Sequence, residues 1–427
     1  MTSPRIDTLR NGVTVICDPA PGYQTVALSV VAGRGSRSED EARCGWSHLL
    51  EHMVFKGAGE RSARDIVEAI EAEGGQINAA TGHERTSFQV RALAGGLPLA
   101  MAVTGDILQR PTLDAGDLER EKLVVAQEIA EAADTPDDQV FELAQAAAFK
   151  DQPLGRPILG SAASLEAANP STLGDWRAAL YAPDQLVVSA SGAVDEDELL
   201  AMAEREFGGA VRRETAPSPV VARFVGGAAK ERRRLEQAHL VFLLPAPAVN
   251  DDLYWALRLY AEILGGGMSS RLFQEARERL GLAYAIDAYA ESYADTGVLG
   301  IYAGCAAANA TQLAGVVAAE ILSLARAVTP GELARAKAQL KASLFMGRES
   351  LAARAEQMAA QHLAFGRLLP AAEMAERIDA VTALEIGEVG RGLLTPGRSV
   401  GSALGPKVAL DAPARFASAL FDPATRV

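Results

Sequence analysis

The chain has little of the residue types that most often bind metals, form disulfides or grip nucleic acid. Among 427 residues there are 5 histidines and 3 cysteines, Cys17, Cys44 and Cys305. Three widely spaced cysteines build neither a disulfide framework nor a paired CxxC zinc site, and they fit buried thiols in a reducing compartment. Basic side chains number 41 against 55 acidic ones, a formal net charge of −14. That argues against general nucleic-acid binding, which needs a basic surface to displace counterions. The acidity suits solubility first, with attraction of basic peptides as the second reading. No unbroken apolar run of about 18 residues occurs, which argues against a spanning helix. The first residues, MTSPRIDTLRNGVTV, lack the basic start and apolar stretch of a signal peptide. The expectation is a cytoplasmic protein with no membrane or nucleic-acid partner.

What is present is a globular balance, 49 % hydrophobic and 22 % charged residues, with length for several domains. Residues 208–234 mix Gly, Pro, Ser and charge without a sustained helical period, and read as a connector with a strand at its end. The chain therefore divides into a first domain, 1–215, and a second, 216–427. The halves repeat one plan. SARDIVEAIEAEGG runs into the alternating QINAATGHERTSFQVRAL, and SSRLFQEARERLG runs into LAYAIDAYAESYADTGVLGIYAG. DLEREKLVVAQEI at 117–129 parallels ELARAKAQLKASL at 332–344, with Leu118 matching Leu333 and Arg120 matching Arg335. A Gly-Arg pair follows each, Gly155-Arg156 and Gly366-Arg367. Such offsets point to a duplication. Without regular strand–helix alternation, the expected class is α+β, each half a mainly antiparallel sheet with helices packed on one face.

At 48–52 the sequence reads HLLEH. On a helix His48 and His52 share a face, and Glu51 lies beside them. Two imidazoles so placed suit one tetrahedral Zn²⁺, with Glu51 as a base rather than a ligand. The competing reading is an amphipathic helix whose histidines fall one turn apart by chance, so a third ligand is needed. Glu121 and Glu128 are seven apart and fall within about 20° of each other on a helix. They lie between Val124 and Val125, with Leu118 and Ile129 extending the apolar side. Carboxylates on an apolar face are costly unless a cation meets them. That cation is either a metal, bound by one carboxylate and supported by the other, or arginines from another element. Helix geometry alone leaves both open.

HLLEH followed by MVFKG, together with the distant Glu128, resembles the inverted zinc motif of the pitrilysin-type peptidases. Within that family the chain looks like the group containing the β subunit of mitochondrial processing peptidase and its bacterial relatives, over nearly its whole length. The resemblance implies His48, His52 and Glu128 as ligands of one Zn²⁺ per chain, Glu51 as general base and Glu121 as the supporting glutamate. QINAATGHERT resembles the family's substrate-binding edge strand, to which an extended peptide adds as a further strand. Asn78 and Ala79 stand where the scissile region is expected, and Ala80 departs from the tyrosine many relatives carry. His83, in the same segment, reads as peripheral.

In the second half, GGGMSSRLFQEARERLGLAY resembles the family's Arg-and-Tyr element. Arg277 and Tyr284 are thereby implied to hold the substrate backbone. Alone, such a pair reads as a surface Arg and a core Tyr. Aligning the halves sets Ala336 opposite Glu121 and Tyr254–Arg258 opposite HLLEH, so one zinc site is expected, in the first half. His239 and His362 read as structural. The resemblance further implies a dimer closing around a chamber, a homodimer or a pairing with a related subunit, that cleaves extended peptides; an acidic chamber would favour basic, presequence-like ones. The rival readings are a non-catalytic assembly subunit of the core-protein kind and a peptide-binding module with structural zinc.

Overall fold

The computed structural model describes residues 4–211 and 219–421, so residues 212–218 of the expected connector lie outside it. The connector does end in a strand, Gly227–Arg232. The chain forms two compact units, each assembled from separated stretches.

The first unit comprises Met1–Ala130, Arg156–Val220 and Met346–Leu368. Its six-stranded sheet runs in the order Arg5–Thr8, Thr14–Pro19, Leu186–Gly192, Thr25–Ala32, Thr86–Leu93, Gln76–Thr81. All pairings are antiparallel except that of Thr14–Pro19 with Leu186–Gly192. TVALSVVA reads as a strand buried on both faces, and Thr25–Ala32 is that strand. Its Val26, Leu28 and Val30 point into the main core with Val15, Phe88, Val90 and Val188. Val31 points the other way, with Ile16 and Val187, onto Met358 and Ala359 of the helix Leu351–Phe365. The α+β class is as expected, with one addition: the second face of the sheet carries a helix of its own. The Ser-led segment SARDIVEAIEA forms the helix Ala63–Ala72, where Ser62 and Asp65 exchange side-chain and backbone bonds as a capping box.

The second unit comprises Glu131–Gly155, Val221–Phe345 and Leu369–Val427. Its sheet runs Ala283–Ser292, Gly297–Ala306, Gln237–Ala246, Val400–Gly405, Gly227–Arg232, with only the last pair parallel. This is the order and sense of the first sheet without its outermost strand, so the duplication read from sequence offsets recurs in topology. One face is covered by Pro136–Ala148, whose Val140, Ala144 and Ala148 meet Val241, Leu243 and Val400. The other face packs on Tyr254–Gly265, Ala310–Arg326 and Ala412–Phe421, with Phe242 stacked on Phe416 at 4.3 Å. Ala307–Arg326, with a mean hydropathy of 1.3, is long and apolar enough by composition to cross a membrane. The absence of an unbroken apolar run had concealed it. Its Leu313, Val317, Ile321 and Leu324 are fully buried in the core of this unit.

Candidate metal centre

HLLEH lies in the helix Trp46–Val54. Leu49, Leu50, Met53 and Val54 have no exposed surface, and each such side chain stabilises by roughly 1.5–3 kcal/mol. The apolar face therefore anchors the helix, and the opposite face is left to His48, Glu51 and His52. The His48 and His52 ring centroids are 4.7 Å apart.

The second part of the site comes from the helix Ala115–Asp134. Leu118, Glu121 and Val125 are buried on one side of it, whereas Val124 is exposed rather than flanking the glutamates on the apolar face. Glu128 Oε2 stands 3.6 Å from His52 Nε2 and 3.8 Å from His48 Nε2. One ligand atom from each of His48, His52 and Glu128 fits within 4.8 Å of the others, the only such group of His, Cys, Asp and Glu found among the described residues. Ligands sharing one tetrahedral ion lie about 3.4 Å apart, from the usual bond lengths. The distances from Glu128 to the two imidazoles are a few tenths of an ångström wider, so small side-chain movements would bring that carboxylate into place.

The rest of the donor chemistry fits a metal. Glu121 Oε2 lies 3.1 Å from His52 Nδ1 and Glu121 Oε1 lies 2.8 Å from Lys56 Nζ. A carboxylate accepting from Nδ1–H fixes the tautomer that leaves Nε2 with a lone pair. As for the two readings of the glutamates, a histidine pair faces Glu128, and Glu121 meets a lysine where the second reading expected arginines. Burial and the neighbouring His52 push His48 down to about 4, so its imidazole is neutral near pH 7, the form that binds metal. His48 Nδ1 is buried without a hydrogen-bond partner.

Glu51 lies between this group and the strand Gln76–Thr81. The Thr81 hydroxyl donates to Glu51 Oε2 at 2.5 Å. Burial raises the Glu51 carboxyl above its ordinary value, and the Thr81 bond only partly offsets this. The strand stands at the sheet's edge, paired on one side only, with Thr86–Leu93. Alternation puts Ala79 and Thr81 on the half-buried face and Asn78 and Ala80 on the exposed one. Asn78 and Ala79 thus share the free edge but not a face. Thr81 and Lys56 went unnoticed in the sequence, because bonds between distant elements leave no periodicity. The only hint of Lys56 was its place one turn after His52.

Arg277 and Tyr284 belong to the second unit. Arg277 lies in a π-helical turn, Phe273–Arg279, a geometry frequent at functional sites. Its guanidinium sits 4.7 Å from the Phe273 ring centre and 5.8 Å from that of Tyr284. Tyr284 is 77 % exposed, unlike the core tyrosine that spacing alone suggests. His83 is half-buried beside Ser36, while His239 pairs with Tyr302 of the neighbouring strand and His362, on the helix Leu351–Phe365, with Thr14 of the sheet beneath it. In the second unit the helix Tyr254–Gly265 holds the place of HLLEH without histidine, and Ala336 is buried where the first half has Glu121.

The family model for "Insulinase (Peptidase family M16)" matches residues 14–162, and that for "Peptidase M16 inactive domain" matches residues 168–340. A protein of Rickettsia felis named "Uncharacterized zinc protease" is 36 % identical over 382 residues, covering 89 % of this chain and 92 % of its own. One of the same name in Mycobacterium tuberculosis is 36 % identical over 411 residues, covering 95 % and 93 %. The chain belongs to peptidase family M16, a family of zinc proteases. Among solved structures, a protease from Helicobacter pylori superposes with a TM-score of 0.88 at 20 % identity, covering 95 % of this chain and 99 % of that one. That likeness extends the agreement to the whole fold. The M16 profile whose description includes "inactive" falls on the part of the chain without the histidine pair.

Proposed function

We propose that this M16 protein is a zinc endopeptidase that cleaves peptides bound in extended form. The observation that carries the reading is the convergence of His48, His52 and Glu128 beside Glu51 and the open edge of Gln76–Thr81. His48, His52 and Glu128 would hold the ion, with Glu121 orienting His52. When bound, Zn²⁺ supplies Lewis acidity toward a peptide carbonyl and eases deprotonation of water. Glu51 accepts the proton of the attacking water at a carboxylate oxygen and returns it to the leaving amine. The edge strand, at Asn78 and Ala79, offers backbone groups that only an extended peptide satisfies, which orients the bond to be cut.

Arg277 and Tyr284 are assigned to grip the peptide backbone, supported by the exposed Tyr284 ring and the stacked guanidinium. Residues 1–215 supply the zinc group and form the catalytic half of the chain, and 216–427, with Arg277 and Tyr284, the supporting half, although each compact unit borrows a helix from the other half. With one zinc per chain, the protein works as a homodimer, or with a related subunit, around a chamber. Three free, buried cysteines suit the cytoplasm, and the acidic balance favours basic, presequence-like peptides. The test is zinc content together with turnover of an unstructured peptide library. Stoichiometric zinc with turnover supports the reading. Zinc without turnover supports a binding module, and no zinc an assembly subunit.

A further inference from the structure

Gly45, the residue that starts the HLLEH helix, has φ of +89°. A Cβ there would lie 2.6 Å from the Leu159 carbonyl oxygen and 2.7 Å from the Gly160 Cα. A Ser, Thr or Asp cap is thus sterically barred, and the helix has no side-chain cap of its own. The missing acceptor comes from Glu39. Its Oε2 accepts from the Gly45 N–H at 2.8 Å and its Oε1 from the Ser47 N–H at 2.7 Å. The Glu39 side chain is buried, and its backbone carbonyl accepts from Arg156 Nη2 at 2.7 Å, which gives the Gly-Arg pair of the first half a purpose.

The same short segment grips the substrate strand. Ser36 N donates to the Gly82 carbonyl at 3.1 Å and Arg37 N to that of His83 at 2.8 Å. Ser36 Oγ lies 3.2 Å from His83 Nδ1, and Arg37 Nη1 donates to Glu84 at 2.5 Å. Gly35 allows this approach, since a Cβ there would collide with the Gly82 carbonyl at 2.1 Å. Residues 82–85 form the turn that closes the edge strand. One end of the segment therefore holds the helix of His48, Glu51 and His52, and the other end holds the strand of Thr81.

We propose that Ser36–Glu39 is a brace that sets the distance between the metal helix and the substrate-binding edge strand, with Glu39 and Arg37 as its positioning residues. The inference rests on the function proposed above. Glu39 touches neither ligand nor peptide and acts through the helix start. Arg37 acts through Glu84 on the strand's turn.

The test uses the full-length chain, zinc affinity by chelator competition, and steady-state cleavage of an unstructured peptide probe. Glu39→Gln turns one acceptor into a donor facing a backbone N–H. It is expected to weaken zinc binding about tenfold and to lower kcat roughly 10- to 100-fold. Glu39→Asp, which keeps the charge, recovers part of both. Glu84→Gln, at the other end, raises KM several-fold with zinc affinity held. A purely structural role would lower Tm in Glu39→Gln yet leave zinc affinity and kcat per folded molecule at wild-type values, and that result overturns the brace. If Glu39→Gln does not fold, Glu84→Gln decides, an unchanged KM overturning the proposal. A wild-type chain without zinc or turnover overturns the functional reading and this inference with it. A fully active wild type with unaffected variants overturns the brace alone.

Discussion

His52 is held from two sides: Glu121 meets Nδ1 and Glu128 faces Nε2. Removing the first should act through the second. Glu121→Ala is expected to weaken zinc binding about 10- to 100-fold, whereas Glu121→Gln keeps an acceptor for Nδ1–H and loses less. Chelator competition measures both, and equal affinities for the two variants would refute the orienting role. Thr81→Val removes the hydroxyl from Glu51 without removing a methyl-sized group. It should lower kcat about tenfold, as expected for a bond to a charged acceptor, and Thr81→Ser should restore most of the loss. HLLEH and the Glu121–Glu128 pair were legible because helical period alone puts each set on one face. Thr81, Lys56 and Glu39 were not, because their partners lie 30, 65 and 6–8 residues away and no repeat connects them. Glu39 left one trace: a helix opening on glycine where a capping side chain is usual.

Among elements, the helix Pro330–Gly347 shows how a terminus is secured. Glu332 accepts from the Thr329 N–H and hydroxyl and from two nitrogens of Arg271. The Arg271 guanidinium, then the Thr329 bonds, hold the Glu332 carboxyl down at about 2, against an ordinary 4.5. Between these values the unfolded chain binds a proton that the folded chain does not. The stabilisation is thus complete above pH 4.5 and is lost as pH falls toward 2. Urea midpoints measured from pH 6 to 3 should fall less steeply for Glu332→Gln than for the wild type, and equal slopes would refute the linkage. The order of elements in both halves was readable from matching offsets. The destination of Pro136–Ala148 and Leu351–Phe365 was not. An alanine-rich helix shows which of its faces is buried, but not which sheet receives it.

At the scale of the molecule, the two units share a topology but not a chemistry. The first keeps the histidine pair and its glutamates, and the second has alanine and tyrosine in the matching places while carrying Arg277 and Tyr284. A division of labour across a dimer follows from the proposed function. Mixing Glu51→Gln chains with Arg277→Ala chains should restore up to about a quarter of activity if sites are completed between subunits, by random pairing of intact halves. No recovery in mixed dimers would confine each site to one chain.

The central claim is that this chain's zinc group and Glu51 cleave peptide bonds. Its most direct test is a side-by-side measurement of bound zinc and peptide turnover for the wild type and Glu51→Gln. The expected result is one zinc per chain in both proteins, with turnover reduced about 10²- to 10⁴-fold in the variant, the usual contribution of a general base. Equal turnover by both proteins, or a wild type that binds no zinc, would contradict it.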